Sequence, residues 1–237
     1  RLGGHGATNA RWALAWSVNT FFYYVGGGYK NFIGLGIDRL QKYFSMFGLG
    51  QKTAIDLPGE SAGFIPSKEW KSRVKKEAWY VGDTYNISIG QGDLDITPIW
   101  LDTYIGSIAN GGRLMKPFVV KEVRDSAGNI VEQISPQILG EIPFDQQTIN
   151  MVRQGMRQAV LSGTASLLQD LPTPVAAKTG TVQVVGRGLN SLFTVFGPYD
   201  NPEIVITILI ENVNQSQGLA IKVANEFLMW YFGEFKK

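Results

Sequence analysis

Residues 9–24 (NARWALAWSVNTFFYY) place apolar side chains at helical spacing, but Ser17 and Asn19 interrupt them with residue types that prefer caps and turns to helix interiors. The pattern predicts a helix, a break and a second helix. The triplet Gly26 to Gly28 ends that unit, and residues 37–50 (IDRLQKYFSMFGLG) repeat apolar positions at the same period before stopping at Gly48 and Gly50. A turn at Pro58-Gly59 and a charged segment lead to the glycine-rich stretch YNISIGQG at 85–92. Thr97-Pro98 then opens an amphipathic helix that ends at Asn110-Gly111-Gly112. Residues 1–112 are thus expected to be mostly helical.

From Pro117 the period shortens to two. Residues 118–134 (FVVKEVRDSAGNIVEQI) predict two short strands around a glycine-containing turn, a β-hairpin inserted at the surface between 113 and 140. A helix follows over roughly 146–161. Three β-rich runs come next, VAAKTGTVQV, SLFTVFGPY and EIVITILIEN, the last two separated by Asp200-Asn201-Pro202. They suggest an antiparallel meander. The closing stretch GLAIKVANEFLMWYF has the helical spacing needed to cover one face of that sheet. The expected class is α+β, with the sheet part over 141–237. No internal repeat or low-complexity tract appears, and the linkers are too short to mark a second domain.

Composition narrows the chemistry. The chain has 237 residues, 44% hydrophobic and 18% charged, enough for one substantial core. It contains no Cys and a single His, His5, which excludes a thiol nucleophile, a disulfide scaffold and a His/Cys zinc cluster. Any Ser-His-Asp triad would depend on that one histidine. A net charge of +2 is too small to imply a nucleic-acid partner. The basic stretch from Lys68 to Lys76, flanked by Trp70 and Trp79, reads as a solvated helix and loop. The sequence opens at Arg1, with no basic segment followed by an apolar run and no apolar stretch of membrane-span length, so a soluble piece of something longer is expected.

Lys178-Thr179-Gly180-Thr181 lies within a predicted strand, where lysine and glycine are both disfavoured. Alternation puts Lys178 and Gly180 on one face, and the missing side chain at Gly180 leaves room beside the ammonium for another backbone. A peptide could dock there by strand addition, with the lysine attracting a carboxylate or, once desolvated, assisting proton transfer. The plainer reading is an edge strand with a snorkelling lysine and a glycine bulge. A phosphate-binding loop is excluded, because Ala177 precedes the lysine and Pro172 occupies the first glycine position. Ser17-Val18-Asn19 is equally modest alone: either polar residue could cap the helix beginning near Thr20. Yet a hydroxyl, an amide and a lysine together can supply proton relay and substrate hydrogen bonds without histidine.

Ser17-x-Asn19 followed far downstream by Lys178-Thr179-Gly180 resembles two of the three motifs of penicillin-binding proteins and serine β-lactamases. Further ordered features resemble the class B penicillin-binding proteins of elongation type: GDTYNISIGQG at 82–92, the Thr97-Pro98 helix start, Asn110-Gly111-Gly112, Gly163-Thr164-Ala165, and the strand end Ile210-Glu211-Asn212. Together they cover nearly the whole chain.

The resemblance implies a β-lactamase/transpeptidase-like fold, an antiparallel sheet flanked by helices with a mostly helical subdomain. It implies D,D-transpeptidation in peptidoglycan synthesis through a serine acyl-enzyme, with D-Ala-D-Ala stem peptides as substrates, β-lactams as acylating inhibitors, and no metal or organic cofactor. Lys178 would contact substrate and the motif serine, Ser17 would relay a proton, and Asn19 would bond the substrate's peptide group. The hydroxyls of Thr179 and Thr181 would bind a carboxylate, with Gly180 beside them, and the Thr181 N–H would serve the oxyanion hole. Because strict alternation turns Thr179 and Thr181 away from Lys178, these roles require an irregular or twisted edge strand.

The family's first motif, Ser-x-x-Lys, precedes Ser-x-Asn and carries the nucleophile. The one Ser-x-x-Lys here, Ser72 to Lys75, comes after Ser17 in a charged segment and is read as a decoy. The nucleophile is therefore expected on an upstream segment of the same protein, and these residues alone are expected to be inactive. The resemblance also implies an extracytoplasmic location, inner-membrane anchoring through an absent N-terminal segment, and membrane-bound wall-synthesis partners. A D,D-carboxypeptidase, a β-lactamase, or a β-lactam sensor or scaffold without turnover would share the same two motifs.

Overall fold

The β-rich runs of the last third of the chain form an antiparallel sheet. In the computed structural model, which describes residues 5–184, 186, 188–213 and 218–235, the helices in chain order are α1 (Ala10–Trp16), α2 (Asn19–Gly27), α3 (Gly36–Met46), α4 (Lys68–Trp70, continued by a π turn over Lys71–Lys75), α5 (Val81–Ser88), α6 (Pro98–Ala109), α7 (Gln146–Ser162) and α8 (Leu219–Trp230). The strands are β1 (Arg113–Met115), β2 (Glu122–Arg124), β3 (Ile130–Gln133), β4 (Ile138–Glu141), β5 (Ala176–Val184), β6 (Gly188–Gly197) and β7 (Ile204–Val213).

The main sheet is a meander in the order β5-β6-β7. Its β5–β6 register is unbroken, with Lys178 opposite Thr194, Gly180 opposite Leu192 and Thr181 opposite Ser191. The glycine-bulge reading of Gly180 therefore does not hold. Helix α8 packs Ala220, Ile221, Ala224 and Leu228 against Ala177, Phe193 and Val195 on one face of the sheet. On the other face Ala176 and Phe196 meet Ile105, Ile108 and Met156 of α6 and α7. Two helical layers thus enclose the sheet, as an α+β architecture requires.

Three expectations change in three dimensions. Helix α6 is not amphipathic with one wet face: it is also buried on the side of Leu49, Leu114, Ile142 and Ile149, through Trp100. The surface hairpin β2–β3 stands on a second antiparallel pair, β1–β4, whose short strands carried no alternation long enough to predict. The basic segment 68–76 is not uniformly solvated, since Lys71 is buried and donates to Asp83 at 2.7 Å, with Glu77 at 3.4 Å. That ion pair ties the π turn to α5. Helix α5 in turn packs on α2 through the Tyr23 and Tyr85 rings, 5.5 Å apart, and the Tyr85 hydroxyl donates to Gly28 O at 2.7 Å.

Candidate active site

Helix α1 stops where it does because Ser17 adopts a left-handed conformation (φ 52°, ψ 52°) and its N–H closes the last turn on Leu14 O at 3.3 Å. Val18 is buried and α2 restarts at Asn19. Ser17 is thus the C-cap of α1, the N-cap of α2 is Val18 with no side-chain bond, and the capping explanation of the two polar residues fails. What Ser17 does instead is accept a hydrogen bond from Lys178 Nζ at 2.8 Å.

The position of Ser17 depends on how α1 crosses the end of α7. Ala13 and Ala15 are fully buried there. A Cβ on Gly163 would lie 2.2 Å from Ala15 O, so only glycine allows this approach. The next residue completes the junction: the Thr164 N–H donates to Ala15 O at 3.1 Å.

Lys178 projects from β5 toward that junction. Its Nζ also donates to Thr179 O at 2.7 Å. Among the described residues no carboxylate pairs with it, and burial pushes its pKa down to about 8. Desolvation penalises the ammonium, and a hydroxyl with a carbonyl offsets only part of that penalty. The lysine is therefore poised to give up or accept a proton near neutral pH.

Above this pair lies a cavity of about 500 Å³ whose lining includes Ser17, Asn19, Thr164, Thr179, Gly180 and Thr181. Lys178 sits beneath it, in contact through Ser17. Among the described residues no strand pairs with the outer edge of β5, so the cavity wraps around that edge, and residues from both faces open into it. Phe193 and Ile221 extend its wall on the α8 side, and Leu192, opposite Gly180, lines it from the other face of the sheet. This removes the alternation difficulty: Thr179 and Thr181 need not share a face with Lys178 to share its cavity. Gly180 has a second reason to be glycine, because a Cβ there would lie 3.2 Å from Leu192 Cβ on the neighbouring strand.

Two residues at the site carried no individual role in the sequence reading. Gln91, from the glycine-rich loop after α5, donates from Nε2 to Thr181 O at 3.0 Å, and Thr164 Oγ1 accepts from Thr179 Oγ1 at 2.8 Å. The Thr164 segment stood out only by resemblance and the Gln91 segment by its glycines and by resemblance, and nothing local distinguishes a side chain facing a cavity from one facing water. Ser72 is exposed on the π turn and its partner by motif, Lys75, is paired with Asp93 at 2.6 Å.

The model of the penicillin-binding protein transpeptidase domain matches residues 2–229. The chain belongs to that family. The peptidoglycan D,D-transpeptidase MrdA of Acinetobacter baumannii is 34% identical to it over 96% of the chain, which spans 35% of that protein. The structure of Pseudomonas aeruginosa PBP2 in complex with WCK 5153 superposes with a TM-score of 0.80 at 33% identity, covering 97% of this chain and 50% of that one. PBP2 from Helicobacter pylori, solved as a complex with MreC, gives a TM-score of 0.76 at 29% identity over 98% of this chain and 41% of that one. The chain thus spans about a third to a half of these penicillin-binding relatives, and its transpeptidase-domain fold is the β-lactamase-like architecture that the motif pattern implied.

Proposed function

We propose that the protein containing these residues is a peptidoglycan D,D-transpeptidase of the class B penicillin-binding type. The observation that carries the reading is the 2.8 Å bond from Lys178 Nζ to Ser17 Oγ beneath a cavity that follows an open strand edge. A D-Ala-D-Ala stem peptide lies along β5 by strand addition, and Asn19 bonds its peptide group. Thr179 and Thr181 hold the terminal carboxylate beside the side-chain-free edge at Gly180. A serine from a Ser-x-x-Lys segment outside these 237 residues attacks the penultimate D-Ala carbonyl, with the oxyanion facing the Thr181 N–H. The C–N bond breaks and the terminal D-Ala leaves with the proton given up by the attacking serine and passed on through Ser17 and Lys178; an acceptor amine then displaces the serine from the ester and returns a proton to its oxygen. Similarity to MrdA supports this substrate and reaction class.

The same reading assigns β-lactams as acylating inhibitors. It places the protein on the extracytoplasmic side of the inner membrane, anchored through a segment outside these residues, and among the described residues no helix is long and apolar enough to cross a membrane. The H. pylori relative solved with MreC supports membrane-associated wall-synthesis partners.

Fluorescent penicillin tests the assignment. The full-length protein should be labelled on the Ser-x-x-Lys serine, and the 237-residue polypeptide alone should stay unlabelled. A covalent adduct on Ser72 would overturn the assignment. With a D-Ala-D-Ala peptide, an amide product with an added amine identifies the transpeptidase, and exclusive hydrolysis identifies a carboxypeptidase.

A further inference from the structure

Thr179, Thr164 and the Ala15 carbonyl form a hydrogen-bonded chain at the cavity wall. The Thr179 hydroxyl donates to Thr164 Oγ1 at 2.8 Å, and the Thr164 hydroxyl donates to Ala15 O at a long 3.4 Å. A hydroxyl has one proton and two lone pairs. Whenever its proton lies on Thr164, Thr179 presents only lone pairs to the cavity, and lone pairs repel a carboxylate. A role for Thr179 in carboxylate binding therefore requires its proton to turn away from Thr164, which leaves its oxygen able to accept from that neighbour.

We propose that Thr164 is the positioning residue that makes this turn possible, reversing its own hydroxyl to donate to Thr179 when an anionic ligand arrives. The inference rests on the carboxylate role given to Thr179 under the proposed function. Its cost is small, because the bond surrendered is the 3.4 Å contact and Ala15 O keeps the 3.1 Å bond from the Thr164 backbone N–H. The reward is a polarised sequence, Thr164 O–H to Thr179 O–H to carboxylate, in which each bond strengthens the next and the last is charge-assisted. No proton changes owner; two hydroxyl rotors move. Thr164 lines the same cavity and is exposed, which leaves its hydroxyl room to rotate. The arrangement makes the site selective for a ligand with a free carboxylate over one whose terminus is neutral.

The test compares two probes, N-acetyl-L-Lys-D-Ala-D-Ala and its C-terminal amide, titrated by NMR against the longest natural polypeptide that carries these residues. Wild type should bind the acid more tightly than the amide. Thr164→Val keeps the β-branched shape and the backbone bond to Ala15 O, and should cut the acid-over-amide preference by roughly three- to tenfold, the size of one lost neutral hydrogen bond. Thr164→Ser should retain the preference. Thr179→Val should abolish it, and adding Thr164→Val should then change nothing further. An unchanged preference in Thr164→Val, additive effects of the two valines, or equal weakening of both probes would overturn the inference. A wild type indifferent to the terminal charge would overturn the carboxylate role of Thr179 itself, and the inference with it.

Discussion

Lys178 Nζ and Ser17 Oγ lie 2.8 Å apart across 161 positions of sequence, joining the central sheet to the break between the first two helices. The bond makes each residue depend on the other. Removing the serine hydroxyl leaves a partly buried ammonium with, among the described residues, only Thr179 O as acceptor.

Ser17→Ala should therefore slow acylation of the full-length protein by roughly 10²-fold or more, the range expected when a positioned proton-transfer group is lost. Rates of labelling by fluorescent penicillin measure it. Stability should fall by only about 1–3 kcal/mol, the penalty for depriving a buried donor of its partner, and chemical denaturation separates the two effects.

The lowered pKa of Lys178 has a definite sign in a stability profile. Its folded value of about 8 lies below its ordinary 10.5, so on raising the pH the folded state loses this proton first. Between those values the unfolded chain binds more protons, and stability rises with pH. Below about pH 8 both states are protonated and the desolvation penalty is felt in full. In Lys178→Met this contribution is absent. The difference in unfolding free energy between wild type and Lys178→Met should thus shift in favour of wild type from pH 8 to pH 10.5, and a constant difference would refute the assignment.

Gly163→Ala should be among the most damaging methyl additions in the chain. The new Cβ meets Ala15 O at 2.2 Å and Ala159 Cα at 2.8 Å, backbone atoms that no rotamer change can move. Overpacking of this kind costs about 1–3 kcal/mol, and displacing Ala15 also moves Ser17 two residues on. Denaturation midpoints and penicillin labelling should fall together.

Gln91→Ala should leave the Thr181 carbonyl open on the outer edge of β5. That carbonyl now accepts from the Gln91 amide at 3.0 Å, in the place an incoming peptide N–H would occupy. A D-Ala-D-Ala peptide should bind the variant severalfold more tightly, since a neutral hydrogen bond worth about 0.5–1.5 kcal/mol no longer has to be displaced. Peptide titration checks the direction. Weaker binding would mean that Gln91 supports the edge.

Much of the architecture was legible because it is periodic. The helix-break-helix at 9–24, the long helix ending at Ser162, the three-stranded meander and the covering α8 all follow from apolar spacing and turn residues. The pair β1–β4 was not, because three or four residues carry too little alternation. Lys71 looked solvated in a run of charges, and only the placement of Asp83 across the turn made it a buried ion pair.

The site divides in the same way. Lys178 and Gly180 stood out because each is disfavoured in a strand, a conflict of local rules visible without coordinates. Gly163 and Thr164 drew notice only as parts of a resembling segment, and Gln91 only within a glycine-rich stretch. Residue types and their periods determined which elements form and which residues sit uneasily in them, since propensity acts over one turn of helix or a few strand residues. That Ser17, Thr164 and Lys178 meet at one cavity was decided by the crossing of α1 over the end of α7 and by the exposed edge of β5. Those are packing outcomes, set by the volume at Gly163 and by strand order, and no local pattern encodes a distance between positions 161 residues apart.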